Sequence, residues 1–223
     1  MRGRVAGALL VVAFSLAGCG GGSSPNDGGN GEASKPAQQV LADAVKAADA
    51  ASSYHEFDRL DPEASRDDRT IVKGKGLMGL TTIGGSQKVD VVAIGSRGYM
   101  RANTAFWRLW EDRSTAAKLD GKWVAFPASD RRFGPMTREP SFDGLNSFTG
   151  TPTNKGATTY KGQSVVAIDR GSKSGTVYVA ATGTPYPVAI VDPLGRSFTF
   201  DSWNKPVTLR PPPGAVDLSK LSG

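Results

Sequence analysis

The spacing of its turns constrains this chain most. Beyond Thr70, apolar and polar residues alternate, and short breaks recur at Gly84-Gly85, Gly95 to Gly98, Asp120-Gly121, Lys161-Gly162, Gly171 to Gly175 and Asp192 to Gly195. A period of two belongs to β-strands, and breaks this short connect neighbouring strands as hairpins. Parallel strands need crossovers of about a dozen residues or more, which such gaps do not supply. The pattern predicts a mostly antiparallel meander, with strands over 70–82, 88–94, 99–103, 122–126, 164–169, 176–181, 187–191 and 197–203.

In several of these strands both alternating sets are apolar. Val89, Val91 and Ala93 share one face while Val92 and Ile94 take the other, and Val177, Val179 and Ala181 alternate with Tyr178 and Ala180. A flat sheet with one wet face does not call for this, whereas a strongly curved sheet with a covered concave face does. The cover is expected from residues 34–53. Ser34 is placed to cap a helix, Pro36 fits a first turn, and six alanines fall between positions 42 and 51. Leu41, Val45, Ala48 and Ala51 make a narrow apolar stripe of small residues, which lets a helix approach a sheet closely. A short helix is expected over 113–119, and a further helical region over 135–148, with Met136, Phe142, Leu145 and Phe148. The fold class expected is α+β: a strongly curved antiparallel sheet, a half-barrel, wrapped over helices. The charged run from Asp58 to Arg69 fits no calcium-loop spacing and contains three arginines, so a solvated connection is expected there.

The N-terminus carries an address. Arg2 and Arg4 precede an apolar run of 12 residues, Val5 to Leu16. As a helix this spans ~18 Å, short of a hydrocarbon core of ~30 Å, so it reads as a secretory signal and not a membrane helix. It ends in Leu16-Ala17-Gly18-Cys19, which resembles the lipobox of bacterial lipoproteins. That resemblance implies cleavage before Cys19 and attachment of lipid to its thiol. The Gly/Ser/Asn-rich stretch that follows cannot bury enough apolar surface to fold, and about 15 such residues span on the order of 20 Å. The expected organisation is a lipoprotein signal peptide over 1–18, a disordered tether over 19–33 and a single domain over 34–223. The domain is expected on the extracytoplasmic face of the cell membrane, held there by the anchor at Cys19.

Composition removes several functions. One Cys and one His exclude a His/Cys zinc cluster and a disulfide within the chain. Without the signal, 25 basic residues face 21 acidic ones, and the two kinds are interleaved. Nucleic-acid binding calls for clustered bases on one face, so no nucleic-acid partner is expected. Gly74-Lys75-Gly76-Leu77-Met78-Gly79 matches the dinucleotide fingerprint by letter, but a β-favouring run follows where a helix N-terminus is required, and no cofactor is expected. His55 is the sole imidazole and is expected at a surface or interface. A Ser–Lys pair or two carboxylates stay open as catalytic arrangements, but no motif marks either, and a non-enzymatic chain is expected.

Phe106-Trp107-Arg108-Leu109-Trp110, with Trp123, Phe126 and Phe133, is the densest apolar cluster. It admits two readings, solid core or the lining of an apolar cavity. On the second, the candidate lining residues are Phe106, Trp107, Trp110, Trp123, Phe133, Met136, Phe142 and Leu145.

Several stretches resemble the LolA-like lipoproteins of actinobacteria, the lipid-binding class that includes LppX and LprG. They are Ala44 to Tyr54, Tyr99-Met100-Arg101, Phe106-Trp107, Gly121 to Val124, Thr176 to Ala180, Gly183 to Pro187, Phe198 to Trp203 and Pro206-Val207. The resemblance spreads over most of residues 36–218. It implies a curved half-barrel over helices with an apolar cavity between them, and a carrier that holds the acyl chains of a lipid outside the membrane. The alternative expectation, from a related fold, is an envelope sensor or scaffold that binds protein partners without a ligand.

Overall fold

The two-residue period is realised as twelve strands in one sheet, in the order β12-β6-β5-β4-β3-β2-β1-β11-β10-β9-β8-β7. The computed structural model describes residues 28–59, 65–84, 87–147 and 150–220; the signal, Cys19, most of the tether, Gly85 and Phe148 lie outside them. One meander comprises β1 (Ser53–Arg59), β2 (Ser65–Val72), β3 (Gly76–Ile83), β4 (Gln87–Ile94), β5 (Arg97–Ala102) and β6 (Trp123–Pro127). A second comprises β7 (Thr153–Tyr160), β8 (Gln163–Asp169), β9 (Thr176–Ala180), β10 (Pro187–Val191) and β11 (Ser197–Asp201). The meanders join where β1 pairs antiparallel with β11, from His55 opposite Asp201 to Arg59 opposite Ser197. The sheet does not close, because β7 and the short β12 (Val216–Asp217) are its edges. The expected antiparallel rule has one exception: β12 runs parallel to β6, returning after a long extended segment and not through a hairpin.

The described residues form three α-helices: α1 (Ala37–Ala50), α2 (Thr104–Trp107) and α3 (Arg113–Leu119). In α1, Val40, Leu41, Ala44 and Ala48 are fully buried, and the helix lies across β8, β9 and β10. The alanines bring its backbone close to the sheet, as the stripe predicts. Inward residues of the sheet complete one continuous core, with Ile71, Leu77, Val91, Met100, Val124, Ile168, Val177 and Val179 among them. The outward sets explain the second apolar alternation: Val165, Ala180 and Val188 form a separate small cluster with Tyr160 and Tyr178 on the other face.

Four sequence expectations are corrected. The strand expected over 70–82 is a hairpin, β2–β3, turned at Lys73-Gly74-Lys75 and closed by the Lys75 N–H donating to the Val72 carbonyl at 2.9 Å. Its glycines serve the turn and a close approach: Gly76 has φ +142°, and a Cβ on Gly79 would run into the Asp68 carbonyl oxygen. The charged run at 58–69 is no solvated connection over most of its length; it supplies the end of β1 and much of β2. Its period of two is masked because several inward positions are ionic. Ser34 does not cap α1, since it belongs to a 3-10 turn, Glu32–Ser34, and its hydroxyl donates to the Gly31 carbonyl. The helical region over 135–148 consists of two 3-10 turns, Gly134–Thr137 and Asp143–Asn146, the chain between them being extended.

The stretch expected to be tether is seated on the domain from Gly28 onward. Asn30 donates its side-chain amide to the Ala180 and Gly183 carbonyls, and its backbone N–H to Ala181.

Candidate functional site

The turn at 140–145 lies over part of the concave face. There a cavity of about 220 Å³ is lined by Glu56, Arg69, Pro140, Ser141, Phe142, Gly144, Leu145, Ile190, Phe198 and Phe200. Cross-strand register builds its floor. Phe200 lies opposite Glu56, Phe198 opposite Ile190 and Glu56 opposite Arg69, so all five side chains share the inward face. Its roof is the turn around Asp143–Asn146, fixed by two buried residues, Phe142 and Leu145. The Phe142 ring sits edge-on to Tyr54 at 5.2 Å and to Phe200 at 5.0 Å.

One end of the cavity is ionic. Arg69 donates to Glu56 at 2.7 Å and lies 3.2 Å from an oxygen of Asp67. Asp58, only 3% exposed, accepts from the Asp67 N–H at 2.7 Å. Burial pushes the Asp58 carboxyl up to about 6; the Asp67 N–H opposes this, while the Asp67 and Glu56 carboxylates add to it. Burial works to lower the Arg69 pKa, but Glu56 and Asp67 outweigh it and the guanidinium is held above its ordinary value. Three carboxylates therefore surround one cation. Burial also raises the Tyr54 hydroxyl, which has no hydrogen-bond partner among the described residues.

The eight sequence-nominated residues divide. Phe142 and Leu145 line this cavity. Phe106, Trp107 and Phe133 are buried in a packed aromatic cluster with Phe126, Trp107 meeting Phe133 at 5.9 Å and Phe126 meeting it at 5.6 Å. Trp110 is 43% exposed, with its ring 5.4 Å from that of Phe133. Met136 packs half-buried against the core, and Trp123 lies half-buried under the Arg101 guanidinium at 5.1 Å. The lining residues that sequence reasoning missed are Glu56, Arg69, Pro140, Ser141, Gly144, Ile190, Phe198 and Phe200. Alternation in Ser197–Asp201 held the signal for the two phenylalanines; nothing in a charged run pointed to the ion pair. His55 faces away from the cavity between two carboxylates, Asp68 at 2.9 Å and Asp201 at 3.2 Å.

An open, strongly curved antiparallel sheet with its helices on the inner face is also found in solved structures. LprF from Mycobacterium bovis matches with a TM-score of 0.50 at 17% identity, over 80% of this chain and 97% of that one. The Mycobacterium tuberculosis lipoprotein LppX matches with a TM-score of 0.50 at 18% identity, over 78% of this chain and 98% of that one. The fold is LolA-like. No protein-family model and no curated protein sequence matches the chain. Within this LolA-like sheet the cavity sits at the seam of the two meanders, where β1 meets β11.

Proposed function

We propose that this chain is a membrane-anchored extracytoplasmic lipoprotein that holds the apolar part of a lipid in the cavity beneath Phe142 and Leu145. The observation that carries the reading is a recess of about 220 Å³ whose lining is mostly apolar, with Phe142, Leu145, Ile190, Phe198 and Phe200 around it. The lipobox at Cys19, the signal before it and the LolA-like fold support the anchor and the extracytoplasmic site.

Volume sets the cargo. At about 30 Å³ for each water-sized group, roughly seven such groups fill the space, which suits one short chain or the end of a longer one. At ~0.8 kcal/mol per buried methylene, seven contribute about 5 kcal/mol before ordering costs, an affinity on the order of 0.1 mM.

Native mass spectrometry on the domain from residue 28, with displacement of a fluorescent fatty acid, tests this. Co-purifying lipid or saturable binding lost in Phe198→Asp is expected. If no lipid appears and the fatty acid fails to bind, the carrier reading falls. That outcome would favour the second reading, an envelope sensor or scaffold that engages protein partners without a ligand. The modest volume favours it, since pockets for drug-sized ligands run to about 300–1,000 Å³.

A further inference from the structure

Leu109 and Trp110 break the rule that large apolar side chains are buried. They are 60% and 43% exposed, and only Met78 and Leu194 join them as exposed large apolar residues among those described. They are adjacent in the turn between α2 and α3, and that turn is held from beneath. Phe106 and Trp107 just before it are buried, Asn103 caps α2 by accepting from the Phe106 N–H, and Asp112 caps α3. The Trp110 ring stands edge-on to that of Phe133 at 5.4 Å, so one side of it is fixed while the other meets solvent.

Arginines flank the turn. Arg108 and Arg113 lie on either side of it, and the contact with Phe133 brings Arg131 and Arg132 close. Arg132 pairs with Glu111 at 3.0 Å and lies over the Phe133 ring at 4.9 Å. Arg108, Arg113 and Arg131 are exposed and have no carboxylate partner among the described residues. The acids nearby are turned into the fold. Asp112 accepts from the Ser114 and Thr115 N–H groups, and Asp130 from those of Arg132 and Phe133.

We propose that the turn at 108–112 docks the domain on an anionic lipid surface, with Leu109 and Trp110 entering the interface and Arg108, Arg113 and Arg131 meeting the phosphates. An indole sits well at headgroup level, and an aliphatic side chain reaches the acyl boundary. Each basic residue near such a surface adds about fivefold to binding. A protein partner fits less well, since a stable interface takes about 800 Å² from each side and two adjacent side chains offer far less.

Sedimentation with vesicles tests this on the domain from residue 28, which holds every described element and lacks Cys19. The vesicles are phosphatidylcholine, with and without about 30% phosphatidylglycerol. Binding about tenfold tighter or more to the anionic vesicles is expected. Arg108→Gln combined with Arg131→Gln should weaken it about tenfold or more, as should Leu109→Glu, while Leu194→Glu leaves it unchanged. Brominated lipid should quench tryptophan emission, and Trp110→Phe, which keeps a ring against Phe133, should abolish the quenching. No binding to anionic vesicles, or equal binding to both kinds, overturns the assignment. So does full binding by Leu109→Glu, quenching that survives Trp110→Phe, or a loss confined to Leu194→Glu, which would move the contact to the β10–β11 turn. Docking here needs no ligand in the cavity, so its failure leaves the carrier reading standing.

Discussion

Between pH 4 and pH 6 the Asp58 carboxyl opposes the usual effect of acid on a protein. Its folded pKa of about 6 lies above the ordinary carboxylate value of 3.8, so within that window the folded chain binds more protons than the unfolded one. Stability from this group is present at low pH and is lost as pH rises through 6. At about 1.4 kcal/mol per pKa unit the penalty at neutral pH is at most on the order of 3 kcal/mol. Asp58→Asn keeps the acceptor for the Asp67 N–H and removes the charge. It should raise stability by about 1–2 kcal/mol at pH 7.5, about 3–6 °C in Tm, and by almost nothing at pH 4. Urea unfolding at the two pH values measures this; an equal gain at both would refute it. The same residue shows why the site was only partly legible. Tyr54, Glu56 and Asp58 point inward in strict alternation, yet two of the three are acids, and the pattern that reveals a strand is one of apolarity. Phe142 and Leu145 could be nominated because apolar residues in a loop ask for a place to be buried. Glu56 and Arg69 could not, since their pairing depends on β1–β2 register.

At the scale of elements, what could be read was what local chemistry decides. Helix α3 has the expected bounds, with Asp112 capping it through hydrogen bonds from the Ser114 and Thr115 N–H groups. Strand β10 occupies 187–191 as expected. β7 went unread because six of its eight residues are Gly, Thr, Asn or Lys, polar on both faces at a sheet edge. The roof turns went unread as 3-10 pieces because their apolar spacing fits no regular period. Helix α1 offers a test of close approach. Ala44 is fully buried against the sheet, whereas Ala42, on the same helix, faces solvent. Ala44→Leu should cost about 1–3 kcal/mol by overpacking, and Ala42→Leu should change stability by less than about 0.5 kcal/mol. Chemical denaturation of the two variants side by side decides it. A tolerated leucine at position 44 would mean that the helix stands off the sheet.

An open twelve-stranded sheet has to manage two edges, for unpaired N–H and C=O groups invite pairing with another chain. The β12 edge is only two residues long. The β7 edge is longer and combines two devices. Its pairing with β8 is irregular between Asn154 and Ala157, which spoils a regular template, and the docked segment from Gly28 to Lys35 covers its start. Asn154 anchors that segment, its amide donating to the Lys35 carbonyl at 2.8 Å and approaching those of Glu32 and Ala33 at 3.3 Å. Asn30 pins the other end to Ala180 and Gly183. The docked segment therefore protects an edge of the sheet. Asn30→Ala combined with Asn154→Ala should undock it. Amide exchange in residues 28–36 should then speed up by tenfold or more while α1 and the central strands keep their protection, because each amide lost removes bonds worth roughly 1 kcal/mol apiece. Exchange measured by mass spectrometry on the soluble domain reads this directly. Unchanged protection of that peptide would show that Lys35, paired with Asp43 of α1 at 2.6 Å, holds the segment without the asparagines.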